Sequence, residues 1–408
     1  MVDPDCTTSL TSIPFQQTGY FSKTICDYLD QKESLRPFYH NTADLEGLNN
    51  QVLEKQNSFT TATRTVLVEA LKKQYQGLAH SEKTAAHIDA LADDKTFTVT
   101  TGHQLNLFTG PLYFLYKIIS TINLAEALNK AHPGYHFVPV YWMASEDHDF
   151  DEINYFNFKG TKLEWKRACS GGVGRLDTSG LDGVLAEFDK LLPKTDNANY
   201  LKELFTKGYL EHNTLVEATR YIANDLFKEY GLVIVDGDDR QLKQLFAPFV
   251  KDELLHQTSY KKVSQTIDAL QTNYSIQVNP REINLFYLDD GLRERIIKEE
   301  SQYKVNNTDL SFSEQELLTI LKEHPERFSP NALLRPLYQE VILPNICYIG
   351  GGGELAYWFE LKSYFETVKV PYPVLLLRNS VLLCSVKQHT KLEKLNLSTA
   401  ELFLNNTS

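Results

Sequence analysis

An acidic segment is the part of this sequence whose residue types most directly indicate chemistry. It has six ionisable side chains in the seven positions 146–152, directly after an apolar run at 137–143. The carboxylates could neutralise a substrate ammonium group or hold a divalent cation, and His148 could carry a proton. The residues that we single out for these roles are Glu146, Asp147, His148 and Asp149. The alternative is a solvated acidic cap at the start of a helix.

A second polar group lies in the loop 101–106, where Gly102, His103, Gln104 and Asn106 follow a short β-branched run. A helix predicted from Pro111 begins close behind them. Because a helix N-terminus offers free N–H groups and the positive end of a dipole, this loop suits a phosphate or a carboxylate. For His103 alone, a hydrogen-bonded structural histidine is the competing interpretation.

A glycine run and a solitary arginine complete the candidates. Gly350, Gly351, Gly352 and Gly353 precede Glu354 and a predicted helix with Tyr357 and Trp358. Backbone without Cβ can approach a phosphate or a sugar closely, although a flexible turn would need the same residues. The chain has neither the Walker pattern nor G-x-G-x-x-G, so P-loop hydrolysis and ordinary NAD binding have no support. Arg335 lies among apolar neighbours, near Tyr338 and Gln339. It could clamp a carboxylate or phosphate, or pair with an internal acid.

The elements around these residues predict their juxtaposition. A strand at 97–101, a helix at 111–130 and a strand at 137–143 form a β-α-β unit. Since both strands of such a unit run the same way, their carboxyl ends meet at one edge of the sheet. The loop with His103 and the acidic segment should therefore be neighbours.

A second alternation of elements supports an α/β fold. It consists of a helix at 214–230 with a capping box at Thr214 and Glu217, a strand at 232–235, and a further helix. The loop 236–239 between them is more typical of a turn and N-cap than of a site. Other predicted strands lie at 283–287 and 373–378, and a hairpin is predicted around 163–168.

Composition excludes several classes of function. The 408 residues include 41 Lys plus Arg and 53 Asp plus Glu, a net charge of −12, so nucleic acid is not an expected partner. The five cysteines are widely spaced without a C-x-x-C pair, which favours reduced thiols over disulfides or structural zinc. The sequence lacks a signal-peptide core and an apolar run of about 18 residues. We therefore expect a cytoplasmic protein with no membrane partner.

Several long motifs carry a resemblance to a known family. They are TGHQLNLFTGPLYFLYK at 101–117, FVPVYWMASEDHDFDEI at 137–153, NPREINLFYL at 279–288, FSPNALLRPLYQEVILPNICYIGGGGELAYWFELK at 328–362 and LLLRNS at 375–380. Together they resemble the bacillithiol biosynthesis cysteine-adding enzymes, or bacillithiol synthases. In that family Gln often stands where this chain has His103, and Pro where it has Gly352.

The resemblance implies an architecture. It implies an α/β fold whose Rossmann-like parallel-sheet core is related to class I aminoacyl-tRNA synthetases, with helical and mixed insertions and a C-terminal coiled coil that makes a homodimer. The chain ends where that coiled coil should begin, which puts dimerisation in question. The expected parts are an N-terminal helical layer (1–95), core halves (96–155 and 214–260), insertions (156–213 and 261–330), core completion (331–380) and the start of a helical region (381–408).

The resemblance also implies a reaction, the joining of cysteine to the amine of glucosaminyl-malate. ATP would activate the cysteine carboxylate as an acyl-adenylate or acyl-phosphate, with Mg²⁺ as a possible companion and its ligands unassigned. His103 and Gln104 would stabilise charge on the phosphate, and Asp147 and His148 would position Mg²⁺ or accept the amine proton. On this hypothesis we expect substrate binding by Glu146, Asp149, Arg335, Tyr338, Gln339, Glu354, Tyr357 and Trp358, and nucleotide binding by Gly102, Asn106, Gly350, Gly351, Gly352 and Gly353. The rival hypotheses are another carboxylate-activating ligase or nucleotidyltransferase, and a non-catalytic protein that binds a thiol metabolite.

Overall fold

The structure of the protein is a computed structural model, and it describes residues 10–404. The strands are β1 (Thr96–His103), β2 (His136–Met143), β3 (Tyr155–Phe158), β4 (Thr161–Glu164), β5 (Val233–Asp236), β6 (Leu285–Asp289), β7 (Leu292–Glu299), β8 (Gln302–Val305), β9 (Ser311–Ser313), β10 (Phe328–Pro330), β11 (Asn345–Gly350) and β12 (Val374–Leu377). The helices are α1 (Phe15–Thr18), α2 (Lys23–Leu29), α3 (Leu45–Ser58), α4 (Thr61–Gln74), α5 (Glu82–Ala90), α6 (Tyr113–Ala131), α7 (Phe150–Ile153), α8 (Leu181–Leu191), α9 (Asp196–Phe205), α10 (Leu215–Phe227), α11 (Arg240–His256), α12 (Thr258–Leu270), α13 (Glu314–Glu323), α14 (Arg335–Ile342), α15 (Gly352–Trp358), α16 (Lys362–Val368) and α17 (Val386–Lys394).

A parallel sheet in the order β12-β11-β1-β2-β5 forms the core of the described residues. Every residue of β1 is buried, as expected for a parallel strand that is covered on both faces. His103 pairs with Met143, Met143 with Asp236, and Gly350 with Leu377. The carboxyl ends of these strands therefore lie along one edge.

The predicted β-α-β unit is present, and its first strand is longer than expected. β1 continues through Gly102 because this residue still pairs with Trp142 of β2. The second alternation is also present as α10, β5 and α11, and the capping box at Thr214 and Glu217 is formed. The predicted α/β class with a parallel core is thus confirmed.

The sequence analysis did not predict β11, although this strand lies near the middle of the sheet. It has only six residues, begins with polar Asn345 and runs directly into the glycines. Its pairing with β1 joins residues about 245 positions apart, as in the hydrogen bond from Thr100 to Asn345. A pairing of this kind leaves no local pattern in the sequence.

Two insertions flank the core. The first contains the hairpin β3–β4, which lies at 155–164 rather than around 163–168 because its turn is at Lys159 and Gly160, both with positive φ. The second contains an antiparallel sheet in the order β10-β6-β7-β8-β9, of which only β6 was predicted. The domain boundaries given above stay predictions.

The helices α3, α4 and α5 lie in the N-terminal part of the chain, within the stretch of helical apolar spacing. α3 packs on β11 and β12, and the buried Lys55 of α3 forms an ion pair with Glu340 of α14. Cys26, Cys169, Cys347 and Cys384 are free thiols, and Cys6 lies outside the described residues. Within 10–404, no helix combines the length and the apolar character that a membrane crossing requires.

Candidate active site

A cavity of about 550 Å³ lies at the carboxyl edge of the sheet. The cavity lies at the point where the order of the strands reverses. On one side of β1 the sheet continues with β2, and on its other side β1 pairs with the later strand β11. Open α/β sheets bind ligands at such a switch point. The predicted residues that line it are Gly102, His103, Gln104, Glu146, Asp147, Arg335, Gly351, Gly352, Gly353, Glu354 and Tyr357. The edge thus brings together loops that are about 250 residues apart in sequence.

Three arginines, Arg293, Arg335 and Arg378, give the cavity an excess of positive charge. Among residues 10–404, none of them has a carboxylate oxygen within 4.0 Å. Arg335 donates to the Tyr357 hydroxyl at 2.8 Å and to Gln339 Oε1 at 3.1 Å. Because these partners are neutral, the Arg335 charge remains available to an anion.

Lys117 and Glu354 tie together the loops on both sides of the cavity. Lys117 Nζ lies 2.7 Å from Glu354 Oε2 and donates to Gly102 O at 2.5 Å. Glu354 also accepts from Gly351 N at 2.7 Å and Tyr348 Oη at 2.9 Å. Burial would raise the pKa of Glu354, but Lys117 and these hydrogen bonds outweigh it and the pKa ends below its usual value. Glu354 therefore acts as an ionised brace.

Two residues of the acidic segment, Glu146 and Asp147, also line the cavity. Glu146 forms an ion pair with buried Lys243 of α11, while burial raises the pKa of Glu146 against the attraction of that lysine. Gln104 Nε2 donates at 2.9 Å both to Asp147 Oδ2 and to Glu152 Oε2. Gln104 thus links the first loop to the acidic segment, as the crossover geometry predicts.

His103 has a defined tautomer. Its Nδ1 lies 3.0 Å from Gln104 O, and because a carbonyl only accepts, Nδ1 carries the proton. Nε2 is then an acceptor, and it is buried without a hydrogen-bond partner among the described residues. Burial, followed by the charge of Lys117, lowers the pKa of His103 to about 4. His103 is therefore neutral near pH 7 and offers no Nε2–H to a phosphate, unlike the donor role suggested above.

His148 lies beside the cavity and does not line it. Its Nδ1 is 2.6 Å from Arg293 Nη1. Ligand atoms of Asp147, His148 and Asp149 lie within 4.8 Å of one another, which is compact enough for a metal ion. Burial, followed by the charge of Asp147, raises the pKa of Asp149.

The other predicted residues lie away from the cavity wall. Tyr338 donates to Gly237 O at 2.7 Å, and Trp358 packs on Tyr348 with ring centroids 4.9 Å apart. Gln339 is fully buried and contacts Arg335. Asn106 donates to Glu152 O at 3.3 Å within the loop, and Gly350 ends β11. These residues lie behind the cavity wall, where each is packed against or hydrogen-bonded to other parts of the protein.

Sequence reasoning missed Lys117, Lys243, Arg293 and Arg378. Lys117 had a local signal, because it lies between Phe114 and Ile118 on the buried face of α6. Arg378 directly follows the buried strand β12. Arg293 lies on a strand of the second insertion and leaves no pattern that relates it to the core.

A family comparison agrees with the geometry. The family described as "Bacillithiol biosynthesis BshC, N-terminal Rossmann-like domain" matches residues 9–379. The chain belongs to the BshC family of bacillithiol biosynthesis. The resemblance and the Rossmann-like core are thereby confirmed.

Relatives of the BshC family extend over nearly the whole chain. A protein of Flavobacterium johnsoniae named "Putative cysteine ligase BshC" is 57% identical over 391 residues, which cover 96% of this chain and 74% of the relative. Proteins of the same name from Flavobacterium psychrophilum and Cytophaga hutchinsonii are 56% and 45% identical, and each alignment covers 74% of the relative. These relatives and the family support a ligase of bacillithiol biosynthesis.

Proposed function

We propose that this protein forms the amide bond between the carboxyl group of L-cysteine and the amine of glucosaminyl-malate, in the last step of bacillithiol biosynthesis, with ATP as the activating co-substrate. The observation that carries the proposal is one cavity lined by three arginines that have no carboxylate oxygen within 4.0 Å among residues 10–404, and also by the carboxylates of Glu146 and Asp147. Family membership supports the same assignment.

The charges of the cavity match the charges of these substrates. Glucosaminyl-malate has two carboxylates, and we assign them to Arg335 because its guanidinium is fixed by Gln339 and Tyr357 yet has no acidic partner within residues 10–404. Asp147 suits the ammonium group of cysteine, with Glu146 next to it in the ion pair with Lys243. The amine of the sugar would approach from the side of the malyl group.

Arg378 and the glycine run suit the phosphates of ATP, and Lys117 supports them through its ion pair with Glu354. In the described part of the chain, no atom beyond the chain neighbours and the helix backbone around Gly353 lies within 4 Å of the position that its Cβ would take, so a ligand can approach the backbone there. A Cβ on Gly351 would lie 3.5 Å from Arg378 Nε, which places this guanidinium beside the glycines. ATP supplies activation, because it turns the carboxylate oxygen of cysteine into part of a phosphate leaving group.

The remaining steps need positioning and one proton acceptor. The amine forms the new C–N bond, the acyl C–O bond to the phosphate group breaks, and the amine releases a proton. Asp149 would accept that proton, and its raised pKa favours this role. Mg²⁺ is part of the proposal, with the carboxylate oxygens of Asp147 as suitable ligands.

Reconstitution tests the proposal directly. Purified protein is incubated with L-cysteine, glucosaminyl-malate, ATP and Mg²⁺, and bacillithiol is measured by mass spectrometry while the nucleotide product is separated as AMP or ADP. We expect product only when all substrates are present, and a KM for glucosaminyl-malate about 10-fold or more higher in Arg335→Gln, because a charge-assisted hydrogen bond is lost.

A substrate control and one outcome of the reconstitution separate the rival functions. Replacing cysteine by serine or alanine tests for another carboxylate-activating ligase, which would consume ATP with a different amino acid. A folded protein that binds cysteine and nucleotide but never forms product would contradict the ligase proposal and favour a non-catalytic binding role.

A further inference from the structure

The hydrogen bond that His148 accepts leaves neither of its ring nitrogens free to act as a base. Arg293 Nη1 lies 2.6 Å from His148 Nδ1. A guanidinium only donates, so Nδ1 must accept, and the proton of the neutral ring is on Nε2. Nε2 lies 3.9 Å from Asp149 Oδ1. The single lone pair of the neutral imidazole is therefore already engaged by an arginine.

Arg293 is held by neutral groups and faces the cavity. Its Nε donates to Ser329 Oγ at 3.1 Å, and its guanidinium lies 4.0 Å above the Phe286 ring. The contact from Nη2 to Pro330 O is longer, at 3.4 Å. With His148 these contacts fix the plane of the guanidinium. Since no carboxylate oxygen lies within 4.0 Å among the described residues, its charge lacks a direct counterion.

The charged residues around Arg293 restrict which anion can bind to its guanidinium. Burial lowers the pKa of Arg293, and the charges of Glu146, Asp147 and Asp149 act in the opposite direction. These carboxylates are close enough to repel a purely anionic ligand. A zwitterion avoids this conflict, because its carboxylate can contact Arg293 while its ammonium group contacts the acidic segment.

We propose that Arg293 binds the carboxylate of a zwitterionic amino acid, and that His148 is a positioning residue that holds the guanidinium by accepting its hydrogen bond. This inference rests on the proposed function in taking the cavity as the substrate site. It assigns a binding role to a residue of the second insertion and removes the role of proton carrier from His148.

Binding measurements test the role of Arg293 without requiring turnover. Titration calorimetry compares L-cysteine with cysteamine, which has the thiol and amine but no carboxylate. We expect wild-type protein to prefer L-cysteine by about 10- to 100-fold, the range for a charge-assisted hydrogen bond, and Arg293→Gln to lose that preference. Equal preference in wild type and Arg293→Gln would overturn the proposal even if the protein proves to be a ligase. Absence of turnover in the wild-type protein, together with a preference for L-cysteine that Arg293→Gln abolishes, would contradict the proposed function alone.

Substitutions of His148 separate positioning from base catalysis. The side-chain oxygen of Asn can take the place of Nδ1 as an acceptor, but it cannot serve as a base. We expect His148→Asn to keep the KM for cysteine within about 3-fold of wild type, and His148→Leu to raise it about 10-fold or more with a smaller change in kcat. A kcat that falls equally in both variants would identify His148 as a base and overturn the proposal.

A matched control and two further readouts complete the test. His389→Asn changes an exposed histidine of α17 and serves as the control for the substitutions of His148. If Arg293→Gln raises only the KM for ATP, the bound anion is a phosphate and the amino-acid assignment is wrong. If a variant unfolds, ¹⁵N NMR of the wild-type histidine rings still decides, because an Nδ1–H tautomer at His148 would contradict the geometry.

Discussion

At the scale of single residues, His103 in the cavity wall and His148 beside the cavity each have one ring nitrogen that is an acceptor. His103 uses its only proton on the Gln104 carbonyl, and His148 accepts a hydrogen bond from Arg293. The cationic donors that line the cavity are Lys117 and the three arginines Arg293, Arg335 and Arg378. In the proposed function, the phosphate contact first considered for His103 is therefore assigned to Arg378, beside the glycine run.

The low pKa of His103 predicts a pH-dependent stability. Its pKa is about 4 in the folded protein and near 6.5 in an unfolded chain, so the unfolded state alone binds this proton between those values. The contribution is complete above about pH 6.5 and is lost as the pH falls toward 4. Between pH 7 and pH 5 we expect wild type to lose about 2 kcal/mol more free energy of unfolding than His103→Gln.

Urea unfolding of both proteins at the two pH values provides the measurement. Other titrating groups, including His87, are common to both proteins and cancel in the comparison. Identical pH dependence of the two proteins would show that His103 titrates normally.

At the scale of elements, the loop after β1 is anchored in the first insertion. Phe108, Thr109 and Gly110 all have positive φ, at 45°, 69° and 58°. The Phe108 ring lies 5.3 Å from Phe156 and from Phe205, and its N–H donates to Tyr209 Oη at 2.7 Å. These contacts hold a backbone conformation that non-glycine residues rarely adopt. The insertion thus sets the path of the loop that has His103 and Gln104.

Removal of this anchor should impair both stability and turnover. We expect Phe108→Ala to lower the free energy of unfolding by about 2–4 kcal/mol and to reduce kcat about 10-fold, because the loop can leave its strained conformation. Circular dichroism melts and steady-state kinetics measure the two effects.

Phe158→Ala is the matched control for this experiment. Phe158 packs on Phe188 of the same cluster, with centroids 5.1 Å apart, and belongs to β3 rather than to the loop. It should destabilise the insertion with little effect on kcat. A similar loss of kcat in both variants would mean that the loop is not specifically anchored by Phe108.

At the scale of the whole molecule, a buried polar network joins the N-terminal layer to the cavity. Lys55 Nζ lies 3.2 Å from Glu340 Oε2, and both side chains are inaccessible to solvent. Glu340 also accepts from Asn345 of β11 and from Gln339, whose own oxygen accepts from Arg335. Burial lowers the pKa of Lys55 and raises that of Glu340. The helical layer therefore helps to fix an arginine of the site.

Removing one partner of the Lys55–Glu340 ion pair should lower the free energy of unfolding strongly, whereas replacing both partners should lower it much less. Lys55→Met leaves a buried carboxylate without its cation, and we expect a loss of about 3–5 kcal/mol in the free energy of unfolding. In the double variant with Glu340→Gln, an amide oxygen can still accept from Asn345 and Gln339. We expect most of the loss to be recovered, as measured in a double-mutant cycle by urea unfolding. Additive losses would show that the two side chains are not coupled.

Prediction from the sequence succeeded where the signal was local. The capping box at Thr214, the apolar stripe of α6 and the acidic segment after β2 depend on neighbours within a few residues. The shared edge of β1 and β2 followed from a single crossover rule. By contrast, β11 and the pairing of Glu354 with Lys117 depend on contacts between distant parts of the chain.

By itself, the sequence determined the α/β alternation, the family and the meeting of the Gln104 loop with the acidic segment. Only the tertiary structure decided that Arg293, from the second insertion, lies beside His148, and that Tyr338, Gln339 and Trp358 lie behind the cavity wall. The physical reason is that side-chain contacts across insertions depend on the packing of the whole chain. A charge such as that of Arg293 acquires its role from neighbours about 145 residues away.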